Sequence, residues 1–298
     1  MAKGKGRGLD FEHRFRTSRW AEDLLQDALN RSGRFLCCKL GLSQVAVDSR
    51  TDPGDTSLKE PDLVVFHPQD LAAEERRWLE QTDLTQISPA DLLADPFVRS
   101  LMLKARCAIE VEFSPYRATE MKDRTWVRKQ PDDLLRRPRK HANPPTAPNI
   151  WVKLEDLPRL QAWERAFNIP IVVAHLFDQE AFAIPLATLT RLEAQWPESA
   201  EKAIILQLTT GIFKKVQSYD RVDAQGAGEA KVVYVVSPAA AQPVGTLANV
   251  AVTAQIGLSS SKKYVAHVLF EGGTLTFSAT FLDFLSAQHP PNSQLSST

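Results

Sequence analysis

The stretch at 108–114 reads Ala108-Ile109-Glu110-Val111-Glu112-Phe113-Ser114, an alternation of apolar and acidic residues. Alternation with a period of two is typical of a β-strand, in which neighbouring side chains point to opposite faces. We therefore expect Glu110 and Glu112 to share one face, with Val111 directed into a core. Two carboxylates on one face of a strand repel each other unless a cation lies beside them.

A second short stretch, at 61–66, reads Pro61-Asp62-Leu63-Val64-Val65-Phe66 and predicts a buried strand opened by a proline. If this strand lies next to the first, Asp62 joins Glu110 and Glu112 in a cluster of three carboxylates. Magnesium prefers such oxygen ligands. A bound magnesium ion can polarise a phosphodiester, activate a water molecule and stabilise the leaving oxygen.

The order of the predicted elements places these two strands in a wider pattern. A helix is expected at 18–30 with Ser18 as its N-cap, then strands at 35–47, 61–66 and 108–114, a helix at 156–167 with Asp156 as its N-cap, and a strand at 171–177. This order and the two motifs resemble the PD-(D/E)XK nuclease superfamily and, within it, type II restriction endonucleases. The superfamily motif is Pro-Asp, then Asp/Glu-X-Lys after a variable gap, on adjacent strands flanked by helices.

The resemblance implies specific roles for the three carboxylates. Asp62 and Glu110 would bind Mg²⁺, and Glu112, which stands where the motif has lysine, would position or deprotonate the attacking water. The missing lysine has a displaced candidate in Lys153, before the second helix, and a weaker one in Lys122. Other interpretations stay open, because the two glutamates also suit the solvent face of an edge strand and Asp62 also suits a turn.

The sequence predicts an α/β (α+β) fold with a central mixed β-sheet flanked by helices. A carboxylate on the first helix, Glu22, is a candidate outer ligand by resemblance. Asp62 and Glu110 are 48 residues apart, which requires a helical insertion. The expected organisation is a flexible basic arm at 1–16, a restriction-endonuclease-like core at 17–203 with a helical insertion at 70–106 and a basic loop at 115–149, a β-rich recognition and dimerisation part at 204–287, and a polar tail at 288–298. Further elements are expected as a strand at 181–186, a helix at 188–203 and strands at 204–209, 232–237, 250–255, 264–270 and 274–277.

Charge is segregated along the chain although its total is zero. Lys and Arg number 36, as do Asp and Glu, which argues against a strongly basic protein that coats DNA. Residues 117–140, however, contain nine basic and four acidic residues, directly after the acidic strand. A basic loop beside a carboxylate cluster suits a polyanionic substrate. The predicted DNA-binding residues are Arg117, Lys122, Arg124, Arg128 and Lys129.

Composition narrows the remaining possibilities. No apolar stretch approaches the roughly 18 residues of a membrane span, and the basic N-terminus is followed by no apolar region. The three cysteines, Cys37, Cys38 and Cys107, include no CxxC pair for zinc and suit a reduced, cytoplasmic protein.

These observations lead to one functional expectation with two alternatives. The chain is expected to be a Mg²⁺-dependent, sequence-specific endonuclease of double-stranded DNA; a homodimer is implied by the resemblance alone. One alternative is a repair or structure-selective nuclease of the same fold. The other is a DNA-binding protein whose active site has been lost, as Glu112 in place of the lysine allows.

Overall fold

The computed structural model describes residues 9–40, 58–114, 117–125, 145–222, 228–258 and 264–288. These residues form eight α-helices and ten β-strands, which confirms the predicted α+β class with a mixed sheet. The helices are α1 (Leu9–Arg31), α2 (Ala73–Gln81), α3 (Pro89–Ala94), α4 (Pro96–Met102), α5 (Leu157–Phe167), α6 (Leu186–Ala194), α7 (Ala200–Thr210) and α8 (Ala279–Ala287). The strands are β1 (Leu36–Lys39), β2 (Leu63–Phe66), β3 (Ala105–Phe113), β4 (Ile150–Lys153), β5 (Ile171–Leu176), β6 (Glu180–Pro185), β7 (Ile212–Val222), β8 (Gly228–Val236), β9 (Gln242–Leu258) and β10 (Tyr264–Phe277).

Seven of the strands form a central sheet in the order β1-β2-β3-β5-β6-β9-β10. Strands β3 and β5 pair in parallel, and the other neighbours in this sheet pair antiparallel. The connection from β3 to β5 contains β4 and α5, as a parallel pair requires a crossover. Strands β4, β8 and β7 form a second, antiparallel sheet.

At strands β2, β3, β5 and β6 both faces of the central sheet are largely buried, so these interior strands are apolar on both sides. Leu63 and Ile109 pack on the face covered by α1 and α8, with Leu25 and Phe281 as contributions from those helices. Val64 and Ala108 pack on the opposite face, where α5 contributes Trp163 and the second sheet closes the core. This double burial explains why β2 is a continuous apolar run.

The first strand, β1, lies at one end of the central sheet and is covered by side chains of α1. Asn30 accepts a hydrogen bond from the backbone N–H of Cys37 (2.7 Å) and donates one to its carbonyl (3.1 Å). Gln26 also donates to that carbonyl (3.2 Å). These contacts satisfy the edge of a strand that would otherwise be open to pairing.

The N-terminal elements differ from the sequence prediction. Helix α1 begins at Leu9, so residues 9–16 are helical and not part of a flexible arm; residues 1–8 lie outside the described residues. Ser18 is therefore inside the helix, where its hydroxyl donates to Glu22 (2.9 Å), and it is not an N-cap. Of the strand predicted at 35–47, residues 36–39 form β1, and 41–47 are not described.

The strand predicted at 204–209 is wrong, because these residues belong to helix α7. A short apolar run such as Ile204–Leu206 fits either element by periodicity. The helix predicted at 188–203 is in fact two helices, α6 and the start of α7, separated near Pro197. Gly211, in the left-handed region (φ 70°), ends α7.

Other predicted elements agree with the structure. The insertion at 70–106 contains α2, α3 and α4, and Pro89 and Pro96 open the last two. Strands β5, β6, β8, β9 and β10 overlap the predicted strands, although β10 is continuous where two strands were expected. Helix α8, which no pattern had indicated, is capped by Ser278, whose hydroxyl accepts the N–H of Phe281 (3.2 Å).

The predicted basic loop is described only at its two ends, 117–125 and 145–149. The two ends meet in an antiparallel bridge between Lys122 and Thr146.

Within the described parts of the chain, no helix combines the length and apolarity needed to cross a bilayer.

Candidate active site

Asp62 and Glu110 lie side by side at the junction of β2 and β3. Leu63 pairs with Ile109 in the antiparallel register, so the preceding Asp62 falls opposite Glu110. The backbone N–H of Val111 donates to Asp62 Oδ2 at 2.7 Å and fixes the carboxylate at the strand edge. β3 is an interior strand between β2 and β5, so its glutamates do not form the solvent face of an edge strand.

Glu110 is almost fully buried, with 4% of its surface exposed. Lys59 Nζ lies 2.5 Å from Glu110 Oε1. The other oxygen, Oε2, is buried and has no hydrogen-bond partner among the described residues. One oxygen of Glu110 is thus paired with a cation, while the second remains available to a ligand.

Lys59 and Asp156 are the two members of this cluster that the sequence did not reveal. Lys59 Nζ also donates to Asp156 Oδ2 at 3.1 Å, so the ammonium group bridges two carboxylates. The backbone N–H of Lys59 donates to the carbonyl of Arg159 on α5 (3.4 Å), which docks this segment against the helix. Asp156 occupies the N-cap position of α5, as predicted, but its side chain makes no capping hydrogen bond and accepts from Lys59.

Glu112 follows Glu110 on the same face of β3, one pleat further along. Lys153 attracts its carboxylate and lies at the end of β4, with Nζ 3.9 Å from Asp156 Oδ2. The side chain of Lys153 is 42% exposed, whereas that of Lys59 is 26% exposed. The predicted residues Asp62, Glu110, Glu112 and Lys153 therefore belong to one region, and Lys59 is the cation nearer to Glu110.

Asp62, Glu110 and Glu112 have pKa values above those of ordinary carboxyl groups. Burial and the negative charges of Glu110 and Glu22 raise the pKa of Asp62, against the hydrogen bond from Val111. Burial raises the pKa of Glu110 to about 7, although Lys59 lowers it. Burial also raises the pKa of Glu112, opposed by Lys153 and Lys59.

The pKa of Lys59 is shifted in the direction that keeps its charge. Burial alone would lower the pKa, but attraction to Glu110, Asp156 and Glu112 outweighs burial and raises it above the ordinary value. The pKa values of the acids are raised chiefly by burial, whereas the pKa of Lys59 is raised by the carboxylates that surround its ammonium group.

A histidine beside Glu112 contributes no charge to the cluster. His175 on β5 lies opposite Glu112 in the parallel register and is 2% exposed. The backbone N–H of Trp151 donates to its Nδ1 at 3.4 Å, and burial lowers its pKa to about 3. His175 is therefore neutral at physiological pH and serves to pack β4 against the central sheet.

The donor set of the cluster suits a hard divalent cation. Its four carboxylates outnumber its two lysines, and Glu110 offers a buried oxygen without a partner. In the described residues, no three His, Cys, Asp or Glu side chains are already arranged around one metal position. The other oxygen of Glu110, Oε1, is already in contact with the ammonium group of Lys59. The residues of the cluster are Asp62, Glu110, Glu112, Asp156, Lys59 and Lys153.

The structure describes the predicted outer carboxylate, Glu22, and three of the five predicted DNA-binding residues. Glu22 on α1 is close enough to Asp62 to raise its pKa, and Lys39 Nζ lies 3.7 Å from its carboxylate. Glu22 therefore lies near Asp62, and its role as an outer ligand stays a prediction. Of the five predicted DNA-binding residues, Arg117, Lys122 and Arg124 are exposed, and Arg128 and Lys129 lie outside the described residues.

Comparisons with known proteins return nothing: no family model, no curated protein and no solved structure matches this chain.

Proposed function

We propose that this protein is a Mg²⁺-dependent, sequence-specific endonuclease that hydrolyses phosphodiester bonds of double-stranded DNA, as a restriction enzyme does. We further propose that it acts as a homodimer in the cytoplasm. The observation that carries the proposal is the pairing of half-buried Asp62 with buried Glu110 across two antiparallel strands, with Glu110 Oε2 unpartnered among the described residues. Titratable groups whose pKa values are strongly perturbed cluster at functional sites, and Asp62 and Glu110 both have raised pKa values.

In this proposal Asp62 and Glu110 are the residues that hold Mg²⁺. When bound, the ion supplies Lewis-acid activation of the phosphodiester and of the attacking water. The hydrogen bond from Val111 orients Asp62 for this task, and the neighbouring strands hold both carboxylates in fixed positions.

The other members of the cluster have roles that follow from their charge. Glu112 has a raised pKa, which makes it a better proton acceptor for a water molecule than an ordinary exposed glutamate. Lys153 is half-exposed beside it and stabilises negative charge on a phosphate that approaches from solvent. In this proposal Glu112 acts as the base and Lys153 as the cation beside the two metal-binding carboxylates.

Binding of DNA would rely on the loop that follows β3. Arg117, Lys122 and Arg124 are exposed in its first described section. Their positive charge offsets the repulsion between a phosphate backbone and the carboxylate cluster. The β-rich part that contains β9 and β10 is proposed to read base edges, since a two-stranded β-ribbon fits the major groove.

Incubation of plasmid and phage DNA with the protein and Mg²⁺ tests the proposal directly. Cleavage at fixed sequence positions, lost in Asp62→Ala and Glu110→Ala and in the presence of EDTA, is the expected result. Glu74→Ala, an exposed acid on α2, is the matched control and retains full activity. If both active-site variants still cut DNA, the assignment of the site is wrong. Lys153→Ala tests the displaced-lysine hypothesis, which unchanged turnover rejects.

The ion pair between Lys59 and Glu110 favours one competing function. A DNA-binding protein without catalysis would keep a carboxylate neutralised by lysine in place of a metal. DNA binding without cleavage, in Mg²⁺ and in Mn²⁺, would establish that alternative. Cuts at branches or lesions, mapped by sequencing the DNA ends, would instead establish a repair or structure-selective nuclease.

A further inference from the structure

The ammonium group of Lys59 is the most tightly held cation in the carboxylate cluster. It lies 2.5 Å from Glu110 Oε1 and 3.1 Å from Asp156 Oδ2, and the Lys59 side chain is largely buried. Its backbone is anchored to α5 through the carbonyl of Arg159. Lys59 is thus fixed at both ends, and its charge is directed at a carboxylate assigned to the metal.

A divalent cation and this ammonium group compete for the same oxygen atoms. Both are attracted to Glu110, and two positive charges a few ångströms apart in a buried site repel each other strongly. Entry of the metal therefore requires Lys59 to loosen its contact with Glu110. Asp156 provides a second partner on the far side of the ammonium group, at hydrogen-bond distance.

We propose that Lys59 is an internal counter-cation that occupies Glu110 in the metal-free protein and moves onto Asp156 when a divalent cation binds. This inference rests on the proposed function in that Mg²⁺ is taken as the ion of the site. It adds a regulatory property, because the affinity for the metal is set by the competition between Glu110 and Asp156 for one lysine.

Two substitutions at this contact are expected to change metal affinity in opposite directions. Removal of the competing charge in Lys59→Met tightens Mg²⁺ binding at least tenfold. Removal of the alternative partner in Asp156→Asn leaves Lys59 on Glu110 alone and weakens Mg²⁺ binding at least fivefold. Lys59→Arg keeps the charge and therefore keeps an affinity close to that of the wild type.

Lys153 provides a matched control for the effect of charge alone. It is also a lysine beside Asp156, but its Nζ is 3.9 Å from that carboxylate and its side chain is more exposed. Lys153→Met removes the same unit charge from the region. A change of less than threefold is expected, because solvent screens an exposed charge more effectively than a buried one.

The experiment is isothermal titration of each full-length variant with MgCl₂ in the absence of DNA, after circular dichroism has confirmed folding. Equal affinities for the wild type and Lys59→Met overturn the proposal, as does equal tightening in Lys153→Met or tighter binding in Asp156→Asn. Absence of Mg²⁺ binding in every variant also overturns it. If Lys59→Met does not fold, Lys59→Gln takes its place in the same titration.

Plasmid cleavage by the wild type separates this proposal from the proposed nuclease function. A protein that cuts DNA but shows no effect of Lys59 on Mg²⁺ affinity keeps its function and loses the counter-cation. A protein that cuts no DNA but binds Mg²⁺ with the expected order of affinities keeps the counter-cation and loses the nuclease assignment.

Discussion

Replacement of Glu110 by glutamine is expected to stabilise the metal-free protein, although it removes a candidate metal ligand. The pKa of Glu110 is raised from 4.5 to about 7 in the folded state, chiefly by burial. When the pKa of an acid is higher in the folded than in the unfolded state, ionisation of that acid destabilises the folded state. The loss of stability is absent at pH values below the pKa of the unfolded state and complete at pH values above the pKa of the folded state. A shift of this size corresponds to about 3 kcal/mol. Glu110→Gln, which does not titrate, is therefore expected to gain up to about 3 kcal/mol at pH 8.

Urea and thermal denaturation with EDTA, at several pH values between 4 and 8, measure this effect. The stability difference between Glu110→Gln and the wild type should grow from pH 4.5 to pH 7 and then level off. For a chain of this length, about 3 kcal/mol corresponds to a rise in Tm of about 5 °C. Addition of Mg²⁺ should raise the Tm of the wild type and leave that of the variant unchanged.

A second buried glutamate with a lysine partner provides the control with the opposite sign. Glu75 accepts hydrogen bonds from Lys104 (2.6 and 2.7 Å) and from the backbone N–H of Ala72 (2.7 Å). Burial alone would raise its pKa, but these bonds outweigh burial and lower the pKa. Glu75→Gln should therefore lose about 2 kcal/mol at pH 8. A less stable Glu110→Gln, or a stability difference from the wild type that does not vary with pH, would show that burial of the Glu110 carboxylate does not destabilise the folded protein.

Two further substitutions test the sheet that carries the site. Asn30→Ala removes both hydrogen bonds to Cys37 at the edge of β1; we expect a loss of about 1–2 kcal/mol in urea denaturation and concentration-dependent association in size-exclusion chromatography, with Gln26→Ala as the milder control. In Gly245→Ala the new Cβ would lie 2.1 Å from the carbonyl oxygen of Thr276, so β9 and β10 must separate and the loss should exceed about 3 kcal/mol. Gly33→Ala, where φ is 65° but the space is open, should lose only about 1 kcal/mol, and similar losses in the two glycine variants would contradict the steric explanation.

The part of the site formed by neighbouring strands was predictable from sequence. The alternation at 108–114 predicts that Glu110 and Glu112 share one face of a strand. The apolar run after Asp62 predicts that this residue lies at the start of a buried strand. Asp62 and Glu110 then become neighbours if the two strands pair. The antiparallel register of β2 and β3 brings these residues together as expected. Period and hydrophobicity are local signals, and they survive in the final fold because both strands lie in its centre.

The remainder of the site depends on contacts that no local pattern records. Lys59 precedes Asp62 by only three residues, yet its position is set by docking against Arg159 and by ion pairs to Glu110 and Asp156. An aspartate directly before a helix whose first turn contains proline is typical of an N-cap residue. This local pattern does not reveal that the side chain of Asp156 accepts from Lys59. Proximity of Lys59 to the Pro-Asp motif was the signal available, but only the tertiary structure shows that its ammonium group reaches the carboxylates.

The segments that build the cluster are far apart in the order of synthesis. Lys59 and Asp62 emerge first, Glu110 and Glu112 follow, and Lys153 is held by β4, which pairs with Val233–Val236 of β8. During translation, therefore, every charged residue of the cluster leaves the ribosome long before β8, the strand that pairs with β4 and holds Lys153 in place. Nascent chains that end before β8 would expose carboxylates without their full complement of cations, so the completed site appears only late in biosynthesis.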